Sequence, residues 1–398
     1  FKGLALEKLE KDWTVYPVLH LDLNTQKYDT PESLTNVLEE NVQNWEVLYG
    51  ASSSEIGVAR RFQGIIRRAC EQTGRRVVIL IDEYDKPMLQ AIGNEALQNE
   101  YRGTLKAFYG ALKSMDGCIR FALLTGVTKF GKVSVFSDLN NLRDISMIDQ
   151  YAEICGISEK EIYTYFEEDI HELAAATGMS YEEACAELKT NYDGYHFTEN
   201  AIGMYNPFSL LNAFANDELN NYWFGSGTPT YLIEMLRKFH VLPSQLGGSM
   251  QAMAADFDAP TEKMEGIVPL LYQSGYFTIK DYNKLAELYT LDIPNGEIRI
   301  GLMRSLLPGY LAHNTLKGNT TIARMYLAIA GGDMDGALRL LQEFLSTVPY
   351  CDNTNYEGHY SNCSTSSFPC LGCMSMWKCV SRTLFPQWIA SGEGGDQF

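Results

Sequence analysis

Three shortages bound what this 398-residue chain can be. It has no run of about 18 apolar residues, which excludes a membrane-spanning helix. Basic residues are few: 32 Lys and Arg stand against 50 Asp and Glu, a formal charge of −18. Such a surface repels nucleic-acid phosphates and anionic membranes, so nonspecific nucleic-acid binding is disfavoured. Proline is scarce (13) and no long low-complexity tract occurs, which excludes disorder over most of the length. The opening Phe1-Lys2-Gly3-Leu4 has neither an initiator Met nor a secretory leader, so the expectation is of a chain cut at its N-terminus. Of the nine Cys, Cys70, Cys118, Cys155 and Cys185 are scattered and five crowd into residues 351–379. Scattered thiols in a long acidic chain suit a reducing, cytoplasmic setting, where they act as small apolar residues.

What is present is an alternation of strands and helices. Tyr16–Asn24 reads as a short strand. Thr30-Pro31-Glu32 opens a helix, with Thr30 as its cap and Pro31 at the first helical position. Helical spacing runs over about 32–49 and about 52–74. Val77–Ile81 is five apolar residues, four of them β-branched, behind the turn Thr73-Gly74-Arg75-Arg76; this is a strand buried on both faces, as in a parallel sheet. A helix over Asn99–Lys113 and a strand over Ile119–Thr125 complete the pattern of a doubly wound α/β layer. Beyond about 155, Ser158–Thr177, Ser180–Thr190, Asn206–Asp217 and Thr228–Phe239 read as amphipathic helices. Leu270–Lys280 and Glu287–Asp292 read as strands around an Asp281-Tyr282-Asn283 turn, and the whole stretch is like a winged-helix module.

The strongest chemical motif is Val77-Val78-Ile79-Leu80-Ile81-Asp82-Glu83. Nucleotide hydrolysis needs a carboxylate at the end of a buried strand for the Mg²⁺ shell and a second group beside it to orient water. Asp82 takes the metal and Glu83 the water on this reading; the bland alternative is a core strand ending in solvated acids. Asp85 is read as a turn residue. A phosphate-binding loop, G-x-x-x-x-G-K-[ST], is missing from residues 1–76. Gly126-Val127-Thr128-Lys129-Phe130-Gly131-Lys132 has its glycine and lysine spacing, but Val133 stands where the Mg²⁺-binding hydroxyl belongs and the string follows the acidic strand instead of preceding it. Thr125, at its strand's end, fits a polar residue that senses the γ-phosphate, with Thr128 and Lys129 next in the loop; a plain Gly-punctuated connection fits equally. Tyr192-Asp193-Gly194-Tyr195-His196-Phe197 is either a nucleotide-facing turn or a structural one, Asp-Gly being above all a turn former.

Several strings together resemble the bacterial predicted AAA-ATPase-like family: Phe1-Lys2-Gly3-Leu4-Ala5, Tyr16–Asn24, Ile81–Met88, Leu124–Phe130, Val135–Leu142, Tyr192–Phe197, Asn206-Pro207-Phe208-Ser209 and Gln273-Ser274-Gly275-Tyr276. The resemblance covers residues 1 to about 360. It implies a P-loop NTPase-type doubly wound parallel sheet whose first strand and phosphate loop (R-P-R-R-F-G-K-S in the family) are missing here. A helical lid, a winged-helix-like region and a PD-(D/E)XK nuclease-like domain would follow. The implied layout is an incomplete α/β core over 1–155, a lid over 156–255, the winged-helix-like hairpin over 256–302 and helices leading into the nuclease-like domain over 303–360. ATP and Mg²⁺ are the implied ligands, with Asp82 and Glu83 on matching positions. Hydrolysis is not expected of the chain as written, since the family's phosphate-loop Lys and Ser/Thr have no counterpart. The alternative is a non-catalytic binding remnant of the same fold.

Residues 361–398 depart from the family. Asn355–Tyr360 resembles the start of the nuclease-like domain, with Glu357 as its acid, but Ser361-Asn362-Cys363-Ser364 then replaces the expected apolar helix. Reading the codons one base back from Tyr360 permits an apolar helix followed by V-D-V-E, so a reading-frame slip is expected. The rival, a zinc site on Cys363, Cys370, Cys373 and Cys379, has only one short pair where such sites use two.

Overall fold

The computed structural model describes residues 4–302 apart from 130–135, 137–138, 140, 201, 226–231, much of 233–248 and 259–265; past 302 it describes only scattered residues between 324 and 340. The expectations for residues 341–398, including Glu357, the frame slip and the zinc site, and most of the Thr228–Phe239 helix, lie outside the described residues. The chain divides into two compact units, one of residues 1–144 with 258–265 and one of 145–257 with 266–398.

The first unit is built on a parallel sheet of three strands in the order β1 (Val18–Asp22), β2 (Val77–Asp82) and β3 (Ile119–Leu124). β1 and β2 run in register from Val18 opposite Val78 to Asp22 opposite Asp82, and β2 pairs with β3 so that Ile81 faces Leu124. A short helix α1 (Ala5–Leu9) precedes them; α2 (Pro31–Tyr49) and α3 (Val58–Thr73) join β1 to β2, and α4 (Lys86–Gln90) and α5 (Glu95–Ser114) join β2 to β3. Both crossovers step the same way across the sheet. Right-handed connections therefore put their helices on the same face.

The burial follows that handedness. Leu19, Leu21, Val77, Ile79 and Ile81 on one face are buried with Val37, Leu38 and Val42 of α2, Phe62, Ile65 and Ile66 of α3, and Leu105 and Phe108 of α5. Phe62 and Phe108 stack with centroids 4.4 Å apart and planes 7° apart, and Trp45 lies 5.4 Å from Phe62. On the other face Val18, Phe121 and Leu123 are 48%, 52% and 39% exposed, so among the described residues only one face is covered. The expectation of a strand buried on both faces at Val77–Ile81 is met on one side: Val78 and Leu80 are half-buried.

Local signals place the helices. Pro31 occupies the first turn of α2, and the Thr30 amide donates to Ser33 Oγ at 3.4 Å. The Asn94 side chain accepts from the Leu97 amide, starting α5 four residues before the expected Asn99. Arg61 ties α3 to α2 through Glu39 and, at 2.7 Å, Glu46. The Arg61 hydrogen bonds hold the Glu46 carboxyl below its ordinary value against the opposing effect of burial. A depressed carboxylate stabilises the fold above its unfolded value, and that contribution is lost as pH falls through the folded value. Arg61→Ala is expected to lower stability at pH 7 by about 2 kcal/mol, less at acid pH, measured by urea unfolding; an equal loss at pH 7 and pH 3 would contradict it.

The second unit holds α6 (Glu159–Tyr165), α7 (Glu167–Thr177), α8 (Tyr181–Tyr192), α9 (Pro207–Asn216), α10 (Tyr222–Gly225), α11 (Ala254–Phe257) and α12 (Val268–Gln273). The two-stranded pair β4 (Ile157–Ser158) and β5 (Met204–Tyr205) is antiparallel, and β6 (Met250–Ala252), β8 (Leu288–Asp292) and β7 (Thr278–Asn283) form an antiparallel sheet in that order. Ser158 and Ser180 each form a capping box with the Glu three residues on. The single helix expected over Ser158–Thr177 is broken at Phe166, whose backbone leaves the helical region and whose ring stacks on Phe214 at 5.5 Å. The hairpin turn also falls later than expected. Asp281, Tyr282 and Asn283 remain in β7, Leu270 lies in α12, and the turn spans 284–287, nucleated by Asn283 Oδ1 accepting from the Leu285 and Ala286 amides.

Candidate active site

The three parallel strands end together. The register sets Asp22 beside Asp82, and the Thr125 amide donates to the Ile81 carbonyl at 2.9 Å, carrying the pairing one residue past β3. Carboxyl ends of such strands are where open α/β sheets bind ligands. Asp82 is exposed there, and its Oδ1 accepts from Thr125 Oγ1 at 2.5 Å and from the Glu83 amide at 3.0 Å. Asp82, Glu83 and Thr125, chosen from sequence for their chemistry, are brought to one edge.

Glu83 carries two marks of constraint. Its φ of +54° lies in the left-handed region that non-glycine residues rarely occupy. Its Oε2 is buried without a hydrogen-bond partner among the described residues. Burial pushes its carboxyl above the ordinary value; Lys86 opposes this, while Asp85, Asp82 and Asp22 add to it.

Asp85 is where sequence reasoning stopped short. It does lie in the turn before α4, but its side chain is fully buried. Oδ1 accepts from the Val127 amide at 3.1 Å, and Oδ2 accepts from the Thr128 amide at 2.6 Å and from Thr128 Oγ1 at 2.8 Å. Burial raises the Asp85 carboxyl, and the hydrogen bonds from Thr128 and Val127 hold the rise back. Next to it, the Tyr84 amide donates to the Thr125 carbonyl at 2.9 Å and the Tyr84 hydroxyl to the Thr128 carbonyl at 2.7 Å. Gly126 is required between them: a Cβ there would sit 2.4 Å from Asp85 Oδ1 and 2.8 Å from the Tyr84 ring. A third carboxylate in a short run was the only trace of this arrangement in the sequence.

The loop after β3 thus cradles an anion, and the anion is the protein's own. The Val127 and Thr128 amides, which the phosphate-loop-like spacing offers to a phosphate, point at Asp85. Lys129 Nζ pairs with Asp144 at 2.8 Å and with Asp258. The structure therefore sets Thr128 and Lys129 against internal carboxylates, apart from the hydrogen bonds joining Asp82 and Thr125.

Tyr192–Phe197 belongs to the second unit, where its backbone is held by its neighbours. Gly194 has φ +104°, and a Cβ on it would meet the Pro294 carbonyl oxygen at 2.4 Å. Lys280 Nζ donates to the carbonyls of Gly194 and Pro294, both at 2.9 Å. The His196 amide donates to Thr278 Oγ1 at 2.7 Å, and that hydroxyl donates back to the His196 carbonyl at 2.8 Å.

Residues 1–136 match the sequence profile of the family described as Predicted AAA-ATPase. A protein of Azotobacter chroococcum mcd 1, described as "Uncharacterized protein in vnfD 5'region", is 32% identical over 382 residues, covering 94% of this chain and 71% of that protein. The chain belongs to the Predicted AAA-ATPase family. No solved structure matches it. The profile match takes in all three strand ends and the Asp82–Thr125 edge. No helix among the described residues is long and apolar enough to cross a membrane.

The donors at the edge suit Mg²⁺ chemically, being carboxylate and hydroxyl oxygens. Among the described residues no group of three or more His, Cys, Asp or Glu could hold a metal by itself.

Proposed function

We propose that the Asp82–Thr125 edge is the hydrolytic half of an ATP·Mg²⁺ site and that a phosphate loop outside these 398 residues completes it. The observation that carries this reading is the convergence of Asp82, Glu83 and Thr125 at the carboxyl ends of adjacent parallel strands. Asp82 holds the Mg²⁺ shell. Glu83 orients the attacking water, with a buried oxygen that has no other described partner. Thr125 sits beside Asp82 to meet the γ-phosphate. Thr128 and Lys129 shape the loop, because their polar groups already serve Asp85, Asp144 and Asp258. Mg²⁺ would supply charge neutralisation at the transferring phosphoryl group.

The sheet supports a place for the missing half. A P-loop strand paired with the outer edge of β3 and connected to β1 would step across the sheet in the opposite direction to the two existing crossovers. A right-handed connection of that kind carries its helix over the other face, where Val18, Phe121 and Leu123 are exposed. The sheet would then be doubly wound and covered on both sides, as parallel sheets usually are.

Without the loop's amides and Lys, the β- and γ-phosphates have no cradle. Titration with a fluorescent ATP analogue tests this. The chain alone is expected to show no Mg²⁺-dependent micromolar binding, and the chain extended with the family's phosphate-loop segment is expected to show it. Micromolar binding by the chain alone would overturn the reading. The second reading, a fold retained for binding without catalysis, is favoured by the absence of the loop's Lys and Ser/Thr from residues 1–76. It predicts that the extended chain still fails to bind the ATP analogue.

A further inference from the structure

We propose that Asp85 is a positioning residue of this edge: as an internal anion it holds the 125–128 loop in the one shape that keeps the Thr125 hydroxyl on Asp82. The role in hydrolysis rests on the function proposed above; the grip on the loop does not.

The contacts form a closed circuit between two short segments. From residues 82–85, Asp82 takes the Thr125 hydroxyl, the Tyr84 amide and hydroxyl take the Thr125 and Thr128 carbonyls, and Asp85 takes the Val127 amide and both donors of Thr128. Only Asp85 engages two successive amides and a hydroxyl, and it does so fully buried. A carboxylate suits this place because three donors converge on it and it has no hydrogen of its own to clash with them. An asparagine of the same shape cannot replace it. Whichever way the amide turns, its NH₂ faces either the Val127 N–H or the Thr128 N–H. Loss of one of these contacts frees the loop two or three residues from Thr125. The strained φ of Glu83 lies inside the same circuit, so the segment that Asp85 anchors also holds the water-orienting residue in place.

The test is Asp85→Asn, read first by residue-level hydrogen exchange on the chain itself. The Val127 and Thr128 amides are expected to exchange about tenfold faster, while Ile79 and Ile81 in the strand core keep their protection. Thr128→Val gives the same direction through loss of the hydroxyl alone, and Thr128→Ser restores protection; this pair serves if Asp85→Asn does not fold. In the phosphate-loop-bearing protein, Asp85→Asn is expected to lower kcat about tenfold or more with KM changed less than about twofold, and Thr128→Ser to retain kcat. A residue serving only the fold would move kcat, KM and the thermal midpoint together. Unchanged exchange at 127 and 128 overturns the grip, and faster exchange with unchanged kcat overturns the positioning role. If the unsubstituted phosphate-loop-bearing protein does not hydrolyse ATP, the nucleotide reading fails and the exchange result alone decides the grip.

Discussion

Glu83→Gln in the phosphate-loop-bearing protein is expected to reduce ATP hydrolysis by about 10²–10⁴-fold while leaving nucleotide bound, the usual range for losing a positioned acid–base group. The same substitution is expected to stabilise the protein. Burial raises the Glu83 carboxyl above its ordinary value, so the ionised group works against the fold at neutral pH. A raised carboxylate favours folding only at pH below its unfolded value and ceases to as pH rises through the folded value. Gln removes that cost, so the gain in thermal midpoint should be present at pH 7 and should vanish near pH 4. Together with the left-handed backbone at this residue, this makes Glu83 a locally strained position of the fold. A variant that is less stable at pH 7, or that hydrolyses ATP at the unsubstituted rate, would contradict the role given to Glu83.

The second large effect is in the core that positions the edge. Phe62→Ala should lower the stability of the first unit by about 3–5 kcal/mol, because Phe62 is fully buried between Trp45 and Phe108 and its removal leaves a cavity that stacked rings cannot close. Urea unfolding followed by tryptophan fluorescence at Trp45 reads the change. A loss below about 1 kcal/mol would mean that α2, α3 and α5 do not form the single packed layer described here.

The parts of this fold that were legible in sequence are those fixed by short-range physics. The apolar run before Asp82, the Pro31 helix start and the helices opening at Ser158 and Ser180 each depend on a few adjacent residues, and each element formed. What was missed depends on contacts distant along the chain. Phe166 breaks a helix that its own periodicity supports because its ring meets Phe214. The hairpin turn moves past Asp281-Tyr282-Asn283 because pairing with β8 keeps those residues extended. One open face of the sheet could not be read from Val77–Ile81, since a uniformly apolar strand looks alike whether one face or both are covered.

The site divides in the same way. Asp82, Glu83 and Thr125 could be placed at one edge from sequence because strand ends are predictable. Asp85 was passed over because a carboxylate beside Lys86 and Pro87 has the composition of a turn, and its partners lie 42 and 43 residues away. Thr128 and Lys129 drew notice for their spacing, yet their partners are the carboxylates of Asp85, Asp144 and Asp258. A glycine-punctuated loop rich in donors recognises an anion, and sequence alone does not say whose.

The proposed roles at this edge depend on Asp82 as the metal-side carboxylate of a nucleotide site. The most direct measurement compares ATP-analogue affinity with Mg²⁺ and with chelator in the phosphate-loop-bearing protein and its Asp82→Ala variant. Mg²⁺ is expected to strengthen binding in the first and to have no effect in the second. An unchanged Mg²⁺ dependence in Asp82→Ala would contradict it.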